Sequence, residues 1–195
     1  MAKNDKVIEN LRNAKDNEAL LESLTKLQNE IAVYHNVKVI AITTINNDPL
    51  AAAFAKAFAE TFSRNGETSL VVDANLYNPC LQDFVGDGVE AKNRITASID
   101  NKANAIIMAK EIYPGESYKG KAVDEIIKEN EGNYDHFIVL VPSVKEHKDV
   151  ALLKDIVDGI ILLTRKNKTT KKSIFEAIQF FRVHELPLAK TVVLA

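Results

Sequence analysis

Apolar and polar positions along the chain follow two alternating rhythms. Over residues 16–34, Ala19, Leu20, Leu24, Leu27, Ile31 and Ala32 recur three and four apart, which marks one stripe of an amphipathic helix. The more polar residues 1–15 read as a frayed extension of that helix or as a tail. Beyond it, short apolar runs alternate with helical patterns. Strands are predicted over 38–44 and 69–73, a helix over 49–64, and a turn through Asn75, Asn78 and Pro79. Further strands fall at 103–109, 137–141, 159–164 and 190–195, and further helices at 121–129, 149–157 and 171–183, while 86–104 carries the least pattern. Strands apolar throughout and separated by helices predict an α/β fold, a three-layer α/β/α arrangement around a mostly parallel sheet. The expected organisation is an amphipathic helix and tail over 1–35 and an α/β domain over 36–195.

Composition narrows the chemistry. Lys+Arg (25) nearly balances Asp+Glu (27), so no global field draws the chain to nucleic acid, and none is expected as a partner. Cys80 is the only cysteine, which excludes an intrachain disulfide and a metal site built on several thiolates and fits a reducing cytoplasm. No metal is expected. His35, His136, His147 and His184 lack metal-ligand spacing and read as surface or core positions. No stretch approaches the ~18 apolar residues of a membrane span, so membrane association is expected only through a partner. The basic run Arg165, Lys166, Lys168, Lys171 and Lys172 reads as a solvated loop and helix start, with Thr169 and Thr170 as N-caps.

In a parallel sheet, ligands gather beyond the carboxyl ends of the strands. The first such turn follows Ile42 and has the strand, turn and helix layout of a phosphate-binding loop. Such a loop uses glycines to bring successive N–H groups around phosphate, and a lysine to offset its charge. Residues Thr44-Ile-Asn-Asn-Asp48-Pro49-Leu50-Ala51-Ala52-Ala53 supply neither. Asp48-Pro49 instead reads as a helix start, with a capping carboxylate and a proline at the first helical position. Asp48 is expected to occupy the anion site itself, accepting from amides near Leu50 and Ala51.

Ser69-Leu-Val-Val-Asp73-Ala-Asn75-Leu-Tyr77-Asn-Pro79 resembles the second nucleotide motif of the bacterial tyrosine kinases of capsule and exopolysaccharide biosynthesis. These kinases are a branch of the P-loop ATPases related to the site-selection and partitioning ATPases. Counting back without insertion sets Thr44 at the family's first-motif serine, Asp48 and Leu50 at its glycines and Pro49 at its glutamate. Ala51 then stands at the lysine and Ala52 at the magnesium-binding hydroxyl. Asn75 replaces the second aspartate of the next motif, and Tyr77 its arginine. Tyr134-Asp-His-Phe-Ile-Val-Leu140-Val-Pro-Ser-Val144 resembles the third motif, with Leu140 in place of aspartate. The stretch from Glu18 to Leu24 resembles the ring-forming helix, with Leu21 and Leu24 where arginines would be.

The resemblance implies a P-loop NTPase-like fold. With its phosphoryl-transfer positions replaced, it implies a non-catalytic pseudo-kinase or pseudo-ATPase that regulates or scaffolds polysaccharide assembly, with no cofactor. The expected partner is a protein, either a membrane chain-length regulator or an intact kinase paralogue. Oligomers remain open, since Leu21 and Leu24 suit packing on the chain's own domain or on another subunit. The tyrosine-rich tail that is the family's substrate is not found among the residues up to Ala195. The alternative is an active ATP- and magnesium-dependent tyrosine kinase or ATPase with an unorthodox site around Asp73, Asn75 and Thr44. A partitioning ATPase is disfavoured by the Asp73 to Pro79 signature.

Overall fold

The structure is a computed structural model that describes residues 5–35, 37–91, 94–108 and 116–195. Among the described residues eight strands form one sheet: β1 (Val39–Thr44), β2 (Ser69–Asp73), β3 (Val89–Ala91), β4 (Arg94–Ser98), β5 (Ala103–Met108), β6 (His136–Leu140), β7 (Gly159–Arg165) and β8 (Leu188–Leu194). Their order across the sheet is β3-β4-β5-β2-β6-β1-β7-β8. All pairings from β5 to β8 are parallel, and the hairpin of β3 and β4 adds an antiparallel margin. Every residue of β1, β2 and β7 is buried, as a sheet covered on both faces requires.

Among the described residues five α-helices cover the sheet: α1 (Lys6–Arg12), α2 (Glu18–His35), α3 (Leu50–Arg64), α4 (Glu116–Asn130) and α5 (Lys171–Val183). Helices α1, α2 and α3 pack with Ile40, Ile42, Val71, Ile138 and Ile161 on one face, and α4 and α5 pack with the alternate strand residues on the other. This is the mostly parallel three-layer α/β/α fold that the strand and helix rhythm predicts.

Helix α3 is buried nearly all round. Six alanines between Ala51 and Ala59 let it lie between the sheet and the outer helices; Phe54 stacks on Phe58 at 5.6 Å, and Phe58 meets Phe62 edge to face at 5.2 Å. Leu21 and Leu24 of α2 are buried in the same core, so the two leucines pack on the chain's own domain. Gln28 of α2 donates to the carbonyl of Phe58 at 3.0 Å and to the Thr61 hydroxyl, which fixes the register of the two helices.

Three expectations are corrected. Residues 6–12 form a helix of their own rather than a frayed extension of α2 or a tail, capped by Asp5 and anchored by the buried Leu11. The helix expected over 149–157 shrinks to a 3-10 turn, Asp149–Leu153, because Asp158 accepts from the N–H groups of Lys38 and Val39 (2.9 and 2.8 Å) and pulls the chain into β7. The unpatterned stretch 86–104 holds the β3-β4 hairpin, whose strands are partly solvated and carry no continuous apolar run.

Candidate functional site

The carboxyl ends of β1, β2, β6 and β7 converge on the predicted site. Beyond β1 the chain turns at Thr44, whose hydroxyl donates to the carbonyl of Asn46 at 2.8 Å, and enters α3 at Leu50. Asp48 Oδ1 accepts the Leu50 N–H at 3.0 Å. The Asp48 carboxylate therefore satisfies one free amide of α3. The Ala51 N–H turns instead to the main-chain carbonyl of Asp48 at 3.4 Å, contrary to the expected carboxylate contact. Pro49 precedes the first helical residue, with helical φ of -61°, and supplies no side-chain cap.

The second partner of Asp48 lies 117 residues away. Arg165, the last residue of β7, donates from its terminal Nη2 to Asp48 Oδ1 at 2.8 Å, and its Nε lies 2.7 Å from Oδ2, close enough for an ion pair though out of line for a hydrogen bond. The other terminal nitrogen donates to Asp5, just before α1, and Lys168 Nζ stands 3.4 Å from the same oxygen. Arg165 is only 7% exposed, which corrects its placement among the solvated basic residues. The guanidinium holds the Asp5 carboxyl below the ordinary carboxylate range, with Lys168 adding to the effect and burial opposing it. Thr170 caps α5 as expected, accepting from Ser173 N–H at 3.1 Å, and Thr169 accepts from Arg165 N–H.

Asp73 ends β2 and is fully buried. Its Oδ1 accepts from Asn75 N–H at 3.1 Å, and its Oδ2 from Cys80 and Leu81 N–H at 3.0 Å each. Burial pushes the carboxyl up to about 6, against the pull of the three amides. Asn75 in turn accepts from Asn78 N–H, so the second motif is folded by its own polar side chains. Tyr77 stacks on His147 with ring centres 3.6 Å apart and covers the sheet end. Leu140 is buried between β1 and β2, opposite Ile42 and Asp73. The Cys80 thiol is pushed up to about 12, by burial first and then by Asp73 and Asp83.

The hollow left beside Asp48, Thr44, Arg165 and Thr169 measures about 30 Å³, against the ~300–1,000 Å³ of ordinary ligand pockets. A magnesium–nucleotide pair does not fit the donor set. Ala51 and Ala52 bring no ammonium and no hydroxyl, Asp48 brings negative charge to the helix mouth, and both Asp73 oxygens already hold amides. A roomier polar trough of about 590 Å³ lies at the opposite, amino ends of the strands, lined by Lys38, Glu67, Thr68, Asp135 and His136. Among the described residues no group of three or more His, Cys, Asp or Glu side chains is placed to hold a metal ion.

Thr44, Asp48, Asp73 and Leu140 stand at this end of the sheet as their places in the sequence predict; Arg165 and Asp5 join them unpredicted. A charge closing the apolar run of β7 was the available signal for Arg165; nothing in the sequence marked Asp5.

The strand order and the strand-loop-helix layout make this a P-loop NTPase-like α/β fold. Solved structures similar to it include the kinase domain of the Escherichia coli tyrosine kinase ETK, with TM-score 0.75 and 15% identity over 93% of this chain and 77% of that one. The VpsO kinase domain is similar with TM-score 0.69, 15% identity and coverage of 93% and 97%. A ParA family ATPase from Chlorobium tepidum TLS follows at TM-score 0.59 and 14% identity, covering 80% and 72%. At such identities the likeness is one of fold. No protein-family model and no curated protein matches the sequence. Among the described residues no helix is long and apolar enough to cross a membrane.

Proposed function

We propose that the chain is a non-catalytic relative of the tyrosine kinase domains it resembles in fold, a regulatory or scaffolding partner in capsular or exopolysaccharide biosynthesis. The reading rests foremost on Asp48, whose carboxylate takes the Leu50 amide and the Arg165 guanidinium at the mouth of α3. An incoming triphosphate meets like charge, one fewer free N–H and an arginine already neutralised. Phosphoryl transfer depends on positioning and charge neutralisation, and the lysine, hydroxyl and third carboxylate that supply them are replaced by Ala51, Ala52 and Leu140. A chain of this kind works through a protein partner, and a membrane chain-length regulator or an intact kinase paralogue has the chemistry the resemblance implies.

Calorimetric titration with magnesium and ATP tests the first half, with no heat of binding and no phosphotyrosine in an autophosphorylation assay as the expected results. A dissociation constant below about 1 mM overturns it and returns the chain to an enzymatic reading around Asp73, Asn75 and Thr44. Recovery as a monomer free of any polysaccharide machinery overturns the second half.

A further inference from the structure

We propose that the outer edge of β8, with the flank of α5 beside it, is a docking surface for an acidic, extended segment of a partner protein that joins the sheet as an additional strand. The proposal deepens the interaction reading above and rests on it only in taking the chain to work through a protein partner. Strand β8 closes the sheet order, and among the described residues nothing pairs with its outer side. Toward β7, the carbonyl of Leu194 accepts from Lys166 N–H and that of Val192 from the Thr164 hydroxyl. Alternation along the strand therefore turns the N–H and C=O groups of Thr191 and Val193 outward. Such a ladder is a template for another strand. Natural edges are often guarded by a charge, but Lys190 is already paired with Glu30 of α2 at 2.5 Å.

The side chains beside this edge combine apolar surface with cations unpaired among the described residues. Val192 and Leu194 pack toward the α2 side, so Thr191 and Val193 face the α5 side, where Val193 is 59% exposed. On α5, Ser173, Glu176 and Phe180 face Val144 and Lys148. The opposite flank carries Lys171, Ile178 and Arg182, and the 62% exposed Phe175 lies next to them on the solvent side of the helix.

Charge selects the occupant. Lys166, Lys171 and Arg182 have no ion-pair partner among the described residues, whereas Glu176 and Glu30 are taken by Lys172 and Lys190. A second copy joined edge to edge would bring two sets of these cations together. Nucleic acid would use the cations and leave the outward amides, Phe175 and Val193 uncovered. An acidic extended segment satisfies the backbone, the apolar side chains and the charges together.

Amide hydrogen exchange on the full chain tests the proposal, with a short peptide of alternating valine and glutamate, the same peptide with lysine for glutamate, and a single-stranded DNA oligonucleotide as probes. The glutamate peptide alone is expected to slow exchange at Thr191 and Val193 saturably, by about tenfold. Thr191→Pro removes an outward donor at an edge position that tolerates proline, and Phe175→Ser removes the aromatic contact; each is expected to weaken binding by about tenfold with the melting temperature little changed. The proposal is overturned by absent protection, by equal protection from the lysine peptide, by DNA binding at the same amides, or by a dimer that already protects β8. The nucleotide titration does not involve this edge, so the two readings fail independently.

Discussion

The Asp48–Arg165 pair can be weighed with a double-mutant cycle of Asp48→Ala, Arg165→Met and their combination. Arg165 is 7% exposed and Asp48 24%, so the pair lies between a buried and a surface ion pair. Breaking a buried pair costs about 3–5 kcal/mol and a surface pair about 0–1, which sets the expected coupling near 2 kcal/mol. Asp48→Ala also loses the acceptor for Leu50 N–H, a further cost of about 1 kcal/mol. The total of about 3 kcal/mol corresponds to a fall in melting temperature of roughly 6–12 °C for a domain of this size. Arg165→Met on the Asp48→Ala background should then cost about 2 kcal/mol less than on the wild type, because the partner is already gone. Urea unfolding of the four proteins measures this directly. If the single changes add to within about 0.5 kcal/mol, the guanidinium does not hold the loop between β1 and α3 and the reasoning fails.

Asp73 gives a pH signature. Its folded value of about 6 lies above the ordinary 3.8, so the folded state binds the proton more tightly, and the associated stability is fully present below pH 4 and is lost as pH rises through 6. Relative to Asp73→Asn, the wild type should lose about 3 kcal/mol between those limits; a difference that stays constant or grows would refute the raised value. With its thiol near 12, Cys80 should alkylate with iodoacetamide at pH 8 at least about a hundredfold more slowly than free cysteine, and labelling at the free rate would contradict the burial. Leu24→Arg should destabilise by about 3 kcal/mol, since the leucine is buried in the main core; a change within about 0.5 kcal/mol would show that α2 does not depend on this contact.

Much of the fold was legible because strands buried on both faces must be apolar throughout, and helices that cover them must carry a stripe. Strand β2 and helix α5 have the bounds that patterning assigned them. The β3-β4 hairpin was not legible, because a half-solvated margin needs no apolar run. Nor was the shortening at Asp149–Leu153, where Asp158 bonds to the start of β1.

At the site, local chemistry could be read and distant chemistry could not. That Asp48 supports the helix start and that Asp73 folds its own turn follow from side chains meeting amides a few residues away. Which cation answers Asp48 is a different kind of fact. Arg165 reaches it because the sheet order sets β7 beside β1, and Asp5 reaches Arg165 because α1 folds back onto α3. The sequence by itself determined the layers, the strands and the absence of glycine and lysine from the first loop; the tertiary structure alone decided that a buried arginine between two carboxylates stands at that loop, since such a pairing is specified by strand order and not by spacing along the chain.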